Sequence, residues 1–137
     1  MKKIFFLLLS LLVSSQVMAC RCTDPGPRNA YARADAVVLA KIGVVAQVQE
    51  DVTHMEAEVL QSWKLKTTAD SNILSVYSMV SVCPYVGQEG ETHLLYLKRS
   101  DDPMEGFWTD RCMGNSIELH AQAAKHVRWL NRHGRKM

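Results

Sequence analysis

The chain is poor in the features that mark nucleic-acid binders, repeat proteins and membrane-spanning proteins. Its formal net charge is only +2, and Lys2 and Lys3 alone account for that excess, so the remainder is neutral and a polyanionic partner such as a nucleic acid is not expected. It contains no low-complexity tract, no internal repeat and no phosphate-binding loop. Beyond Val13 no apolar run is long enough to span a bilayer, so no transmembrane segment is expected.

Signatures of catalysis and of metal binding are also missing. No serine, histidine and acid can be assembled from the sequence into a nucleophilic site. The histidines are scattered, and those near the C-terminus lack the i, i+4 spacing that places two metal ligands on one helix face. We therefore expect no enzyme activity and no cofactor, and we interpret the histidines as surface residues or as hydrogen-bonded partners. They are His54, His93, His120, His126 and His133.

The beginning of the chain has the pattern of an export signal. Lys2 and Lys3 precede an apolar run over 4–13, and Val17-Met18-Ala19 suits a signal peptidase. The apolar run is about ten residues, roughly half of what a membrane-spanning helix needs. We predict a signal peptide over 1–19, cleavage before Cys20, and one exported domain over 20–137 in the periplasm or outside the cell.

The residues around Cys20 allow a second interpretation. Small or aliphatic residues followed by a cysteine also resemble a lipoprotein box, in which the sulfur of Cys20 would be acylated and would anchor the protein to a membrane. Met18 stands where that box prefers a small residue. A lipid anchor at Cys20 is therefore the less favoured alternative.

Four cysteines are present, and all of them follow the predicted cleavage site. An even number in an oxidising compartment favours two disulfides, and lipidation of Cys20 would leave one thiol unpaired. A redox Cys-x-Cys pair is disfavoured because no βαβ unit is visible, and a four-cysteine zinc site is disfavoured in an exported protein. The cysteines are Cys20, Cys22, Cys83 and Cys112.

Hydrophobic periodicity predicts a β-rich domain. Gly43 is expected to bend or bulge the first, unusually long strand, as when one strand takes part in both sides of a closed barrel. The last strand is expected to hold Cys112. A five-stranded barrel of the oligonucleotide/oligosaccharide-binding (OB) type is one option. The predicted strands are 36–48, 53–65, 72–80, 92–98 and 107–113, with a turn over 67–70.

Two helices are expected to flank the strands. Pro27 can open a short one, and a capping sequence over 115–118 is expected to start a longer one that Gly134 ends. The buried face of the longer helix should carry Leu119, Ala123, Val127 and Leu130. The tryptophans Trp63, Trp108 and Trp129 are interpreted as packed in the core rather than as ligand-stacking rings.

Several segments together resemble the netrin-like domain of the tissue inhibitors of metalloproteinases and their bacterial relatives. These segments are 20–22, 34–41 and 58–64, followed by Cys83 before a glycine-containing turn, the strand 93–97, Cys112 and a final helix. The resemblance covers essentially all of 20–137. It implies a five-stranded OB-fold-like barrel with helices packed against it.

The resemblance also implies a disulfide pattern and a function. Cys20 should pair with Cys83, and Cys22 with Cys112. In the inhibitors, the α-amino group and the carbonyl of the first cysteine chelate the zinc of a target metalloprotease, so Cys20, Arg21 and Cys22 are the expected protease contacts. Arg21 departs from the small residue that is usual there. The alternative function is that of a noncatalytic binding module of the cell envelope, with Cys20 acylated.

Overall fold

The computed structural model describes residues 20–66, 71–102 and 106–134, so the predicted signal peptide and the predicted turn over 67–70 lie outside the described residues. No helix in this part of the chain is long and apolar enough to cross a membrane. The elements are α1 (Gly26–Arg33), β1 (Ala36–Gln49), β2 (Val52–Lys64), β3 (Ile73–Met79), β4 (Thr92–Arg99), β5 (Phe107–Trp108), a 3-10 helix (Arg111–Met113), β6 (Ser116–Ile117) and α2 (Ala121–His133).

β1 is the strand that organises the sheet. It pairs antiparallel with β2 along its length, and its first half also pairs antiparallel with β4. β2 continues to β3, β3 to β5 and β5 back to β4, so the pairings form a ring of five strands, with β6 added to β4. The register of β1 on β2 shifts between Ile42 and Val45, which is the irregularity predicted at Gly43. The domain is mainly β sheet with two helices and two disulfides.

The first core lies on one face of these strands. In β1, Ala36, Val38, Ala40 and Ile42 are buried on this face, as the two-residue period of a strand requires. Met55 and Ala57 of β2, Leu74 and Val76 of β3, Leu95 and Leu97 of β4, and Phe107 of β5 complete it.

The second core lies on the opposite face of β1 and β4, where the helices pack. Because the first half of β1 and most of β4 are thus covered on both faces, both stretches read as nearly continuous apolar runs rather than as alternating ones. Trp63 is fully buried, as predicted, and its indole N–H donates to Asn131 Oδ1 at 3.1 Å. Trp129 is half-buried against this core, whereas Trp108, also half-buried, belongs to neither core, so its predicted place in the core was wrong. The residues of this core are Ala30, Ala34, Val37, Trp63, Leu94, Tyr96, Ala123 and Leu130.

Two element boundaries were predicted wrongly. The fifth strand is only Phe107–Trp108, and Cys112 lies in the 3-10 helix, because Thr109 Oγ1 donates to the Tyr96 carbonyl at 2.9 Å and turns the chain. The last helix begins at Ala121 rather than directly after 115–118, because Ser116–Ile117 pairs with β4 as β6. Leu119 is therefore 92% exposed instead of buried. Gly134 follows the helix end, as predicted.

Candidate functional site

Two disulfides fix the N-terminal segment, residues 20–25, to the body of the domain. Cys20 is bonded to Cys83 in the loop between β3 and β4, and Cys22 is bonded to Cys112 in the 3-10 helix. This is the pairing that the family resemblance implies. The bonds join positions that are 63 and 90 residues apart in the sequence, so each closes a long loop.

The two disulfides lie side by side. The sulfurs of Cys22, Cys83 and Cys112 are within 4.8 Å of one another, and the Arg111 N–H donates to the Cys83 carbonyl at 2.8 Å. Zinc binds cysteine as the thiolate, which a disulfide sulfur is not. Within the described ranges, no other group of three His, Cys, Asp or Glu side chains is close enough to hold a metal. These sulfurs thus cross-link the segment.

The 3-10 helix that holds Cys112 is itself fixed to β4. The Asp110 carboxylate accepts from the Cys112 N–H at 2.7 Å, and Asn115 Nδ2 donates to the Asp110 carbonyl at 2.7 Å. Asn115 Oδ1 accepts from the Tyr96 N–H at 2.6 Å. Asn115 is buried, so its hydrogen bonds are shielded from water and fix the turn that carries Cys112.

A hydrogen-bond network around the buried His126 side chain, the His126 network, holds the segment at a third point. Asp24 Oδ1 accepts from the Gly26 N–H at 2.9 Å and is 3.0 Å from His126 Nε2. On the other side of the imidazole, Nδ1 is 2.9 Å from the Tyr96 hydroxyl. A neutral ring that is protonated at Nε2 donates to Asp24 and accepts from Tyr96, which satisfies all three side chains. The network joins the N-terminal segment to β4 and α2.

The environment of this network favours that protonation state. Burial lowers the pKa of His126, although the charge of Asp24 acts in the opposite direction. Burial alone would raise the pKa of Asp24, but the Gly26 N–H, His126 and the charge of Lys125 outweigh it and lower that pKa. Burial also raises the pKa of Tyr96, so its hydroxyl stays protonated and can donate.

A second network, the His93 network, supports the loop that carries Cys83. The Tyr85 hydroxyl is 2.6 Å from His93 Nδ1, and His93 Nε2 is 2.8 Å from Glu91 Oε2. The Tyr85 N–H donates to Ser78 Oγ at 2.9 Å, and burial raises the pKa of the Tyr85 hydroxyl. The loop that carries Cys83, to which Cys20 is bonded, is therefore held by Tyr85 to both Ser78 of β3 and His93 of β4.

The cleft beside the segment is open, and its lining is positively charged. Arg21 is exposed and lies at a cleft of about 510 Å³ whose lining includes Arg33 and no acidic residue. Val80, Val82 and Val86 are exposed in the loop that carries Cys83. The lining of the cleft is Arg21, Cys22, Thr23, Pro25, Asn29, Ala32, Arg33 and Cys112.

The structure brings together all the residues that the sequence singled out for this site, and it adds three. Cys20, Arg21 and Cys22 form one segment held at Cys83 and Cys112, but Asp24, Tyr96 and His126 were not predicted to take part. The sequence does contain a pattern that could have predicted the role of His126. Its helical spacing from Ala123 and Leu130 places it on the buried face of α2. Compared with protein-family models and with curated protein sequences, the chain matches none.

Proposed function

We propose that this protein is an exported, netrin-like inhibitor of a zinc metalloprotease and that it acts through Cys20. In this proposal the ring of five strands is an OB-type barrel, and residues 1–19 are removed before the protein acts. The protein is then a binding protein with no catalytic activity of its own. Its contribution to inhibition is a positioned amino terminus.

One observation carries the proposal: the segment that begins at Cys20 is partly exposed but is held at three points. Cys20–Cys83 and Cys22–Cys112 fix it covalently, and Asp24 fixes it through His126. A ligand group that is already ordered loses less conformational entropy when it binds. Cys20, Arg21 and Cys22 can therefore meet a partner as a preformed edge.

The chemistry proposed for Cys20 depends on where the signal is cut. Cleavage before Cys20 would produce an α-amine, whose usual pKa is about 7.7 to 8.0, so a useful fraction is unprotonated near neutral pH. That nitrogen and the Cys20 carbonyl oxygen would bind the zinc of the protease and displace its catalytic water. An additional residue or an acyl group on the nitrogen would remove this ligand.

The surroundings of Cys20 favour a protein partner and suggest its charge. The exposed valines beside Cys83 provide apolar contact area, while Arg21 and Arg33 line the adjacent cleft without an acidic residue. Buried cationic side chains need a charged or hydrogen-bonding partner. The proposed target therefore has acidic groups near its catalytic zinc.

The proposal is tested by inhibition assays on the exported, processed protein. Intact mass should show cleavage before Cys20 and the loss of four thiol hydrogens that two disulfides require. The processed protein is then titrated against a panel of zinc metalloproteases, with a variant that carries one added alanine before Cys20 as the matched control. Inhibition by the processed protein alone supports the proposal, whereas equal inhibition by both forms refutes zinc chelation.

The second candidate is a noncatalytic binding module of the cell envelope that is acylated at Cys20. It is the weaker candidate because the sulfur of Cys20 is bonded to Cys83, and one sulfur cannot carry both a disulfide and a lipid. The same mass measurement separates the two: a diacylglycerol adduct would establish the module and exclude the inhibitor.

A further inference from the structure

A row of three rings crosses β2, β3 and β5 on the face opposite the first core. His54 of β2, Tyr77 of β3 and Trp108 of β5 are cross-strand partners in register. The ring centroids of His54 and Tyr77 are 4.9 Å apart, and those of Tyr77 and Trp108 are 5.4 Å apart. Met55, Val76 and Phe107, their neighbours along the strands, belong to the first core, so this aromatic row points away from it.

Trp108 separates two open clefts. One, of about 430 Å³, is lined by Tyr77 and Trp108 together with the end of the β1–β2 hairpin, including Gln49. The other, of about 250 Å³, is lined by Trp108 together with Lys98 and Asp110. The remaining lining residues are Val48 and Val52 in the first cleft, and Met79, Val82, Thr109 and Met113 in the second.

The polar atoms of the aromatic row are unused by the protein. Within residues 20–66, 71–102 and 106–134, the Tyr77 hydroxyl, the Trp108 indole N–H and the His54 ring nitrogens have no hydrogen-bond partner. The aromatic residues of the second core behave differently, since Tyr96 bonds to His126 and Trp63 bonds to Asn131. The row therefore presents apolar ring faces next to donors and acceptors that remain available.

We propose that the aromatic row is a binding site for a neutral carbohydrate. Pyranose rings have an apolar C–H face that stacks on indole and phenol rings, and hydroxyls that both donate and accept hydrogen bonds. The row matches both properties, because indole donates while the Tyr77 hydroxyl and a neutral imidazole can donate and accept. The Gln49 side-chain amide at the first cleft can also do both.

Charge and hydrogen bonding favour this ligand class over two others. A single-stranded nucleic acid needs a positively charged groove, whereas the charged residues in the two clefts are one lysine, Lys98, and one acid, Asp110. A proline-rich peptide offers its carbonyls only as acceptors, so it would leave the accepting atoms of the row unpaired. The proposal is independent of protease inhibition, which uses Cys20.

The experiment follows the amide and indole N–H signals of the exported, processed protein by NMR while neutral trisaccharides are added. Cellotriose, mannotriose and tri-N-acetylchitotriose are used separately, up to about 10 mM because weak sugar binding lies near millimolar dissociation constants. We expect at least one of them to shift the Trp108 indole signal and the Tyr77 and Gln49 amides. No shift with any of them, or shifts only elsewhere, would overturn the proposal.

Four variants and two competing probes sharpen the result. Trp108→Ala should weaken binding about tenfold, and Trp108→Phe less, because it retains a stacking ring. Trp129→Ala, which removes a half-buried tryptophan from α2, is the matched control and should leave the affinity unchanged. If Trp108→Ala does not fold, Gln49→Ala, at an exposed position, takes its place in the test and should also weaken binding. Tighter binding of decaproline or oligothymidine than of any trisaccharide at the row would overturn the proposal.

Discussion

His126 and His93 are both buried, and both have the same partners: a tyrosine hydroxyl at Nδ1 and a carboxylate at Nε2. They differ in what they connect. The His93 network uses residues from one loop and the start of β4, whereas the His126 network joins positions 102 residues apart, Asp24 and His126. One arrangement of side chains thus orders a loop in one place and fixes the N-terminal segment in the other.

The comparison shows how the segment is held as a whole. Each network supports the anchor of one disulfide. Tyr85 and His93 hold the loop of Cys83. The Tyr96 hydroxyl bonds to His126, and the Tyr96 N–H donates to Asn115, which fixes the turn of Cys112. The covalent bonds limit how far the segment can move. The hydrogen bonds determine the conformation that it adopts within that limit.

The largest expected effect comes from removing either disulfide. Cys22→Ser with Cys112→Ser, and Cys20→Ser with Cys83→Ser, should each lower the free energy of unfolding by about 4 kcal/mol, since both bonds close long loops. Urea denaturation measures this loss. Only the first pair should also accelerate hydrogen exchange at the Gly26 amide, because it frees the chain beside Asp24. Equal exchange in both pairs would contradict the division between the networks.

The next effect comes from the histidines themselves. His126→Ala and His93→Ala should each lower the free energy of unfolding by about 3 kcal/mol, because each leaves a cavity and a buried tyrosine hydroxyl without its partner. Amide exchange by NMR should separate them: His126→Ala affects 23–26, and His93→Ala affects 85–91. If both variants loosened the same segment, the two networks would not be independent anchors.

A smaller effect is expected from the carboxylate of the His126 network. Asp24→Asn preserves the shape of the side chain but removes its charge, and it should lower the free energy of unfolding by about 1 kcal/mol. Glu91→Gln, the matched change in the His93 network, should cost less because Asp24 also forms an ion pair with Lys125 at 3.4 Å, which the change to asparagine removes. Thermal unfolding of the two variants measures the two losses of stability. A larger loss for Glu91→Gln than for Asp24→Asn would contradict the prediction.

The smallest effect is a change of stability with pH. The pKa of His126 is lowered in the folded protein, so the unfolded state binds the proton more readily and protonation favours unfolding. Its contribution is complete above the usual histidine pKa of about 6.5 and is lost as the pH falls below that value. Urea titrations between pH 7.5 and 5 should show this slope, reduced in His126→Phe. An unchanged slope in that variant would assign the effect to another group.

The sequence predicted what depends on local pattern. Four strands close to their predicted bounds, the start of the fifth at Phe107, the irregularity at Gly43 and the helix end at Gly134 follow from hydrophobic periodicity and from the positions of glycine. The disulfide pairing was available only through the family resemblance, because spacing alone does not determine connectivity.

Contacts between distant parts of the chain determine the features that were predicted wrongly from the sequence. Ser116 and Ile117 resemble the start of a helix, but pairing with His93 and Leu94 of β4 makes them a short strand and leaves Leu119 outside. Asp24 resembles an ordinary turn residue until α2 brings His126 to it. Such contacts join residues far apart in the chain, which no local pattern encodes.

The long β1 strand has one more consequence. Its pairing with β4 ends at Lys41, so among the described strands the stretch from Gly43 to Gln49 pairs with β2 alone, and its Val45 N–H donates to Glu89 Oε1 at 3.4 Å. That stretch carries exposed valines, Val44 and Val48, along an open rim of backbone amides and carbonyls. An extended peptide can add to such a rim as a further strand. The stretch from Gly43 to Gln49 is therefore an edge that favours strand pairing between copies of the protein at high concentration.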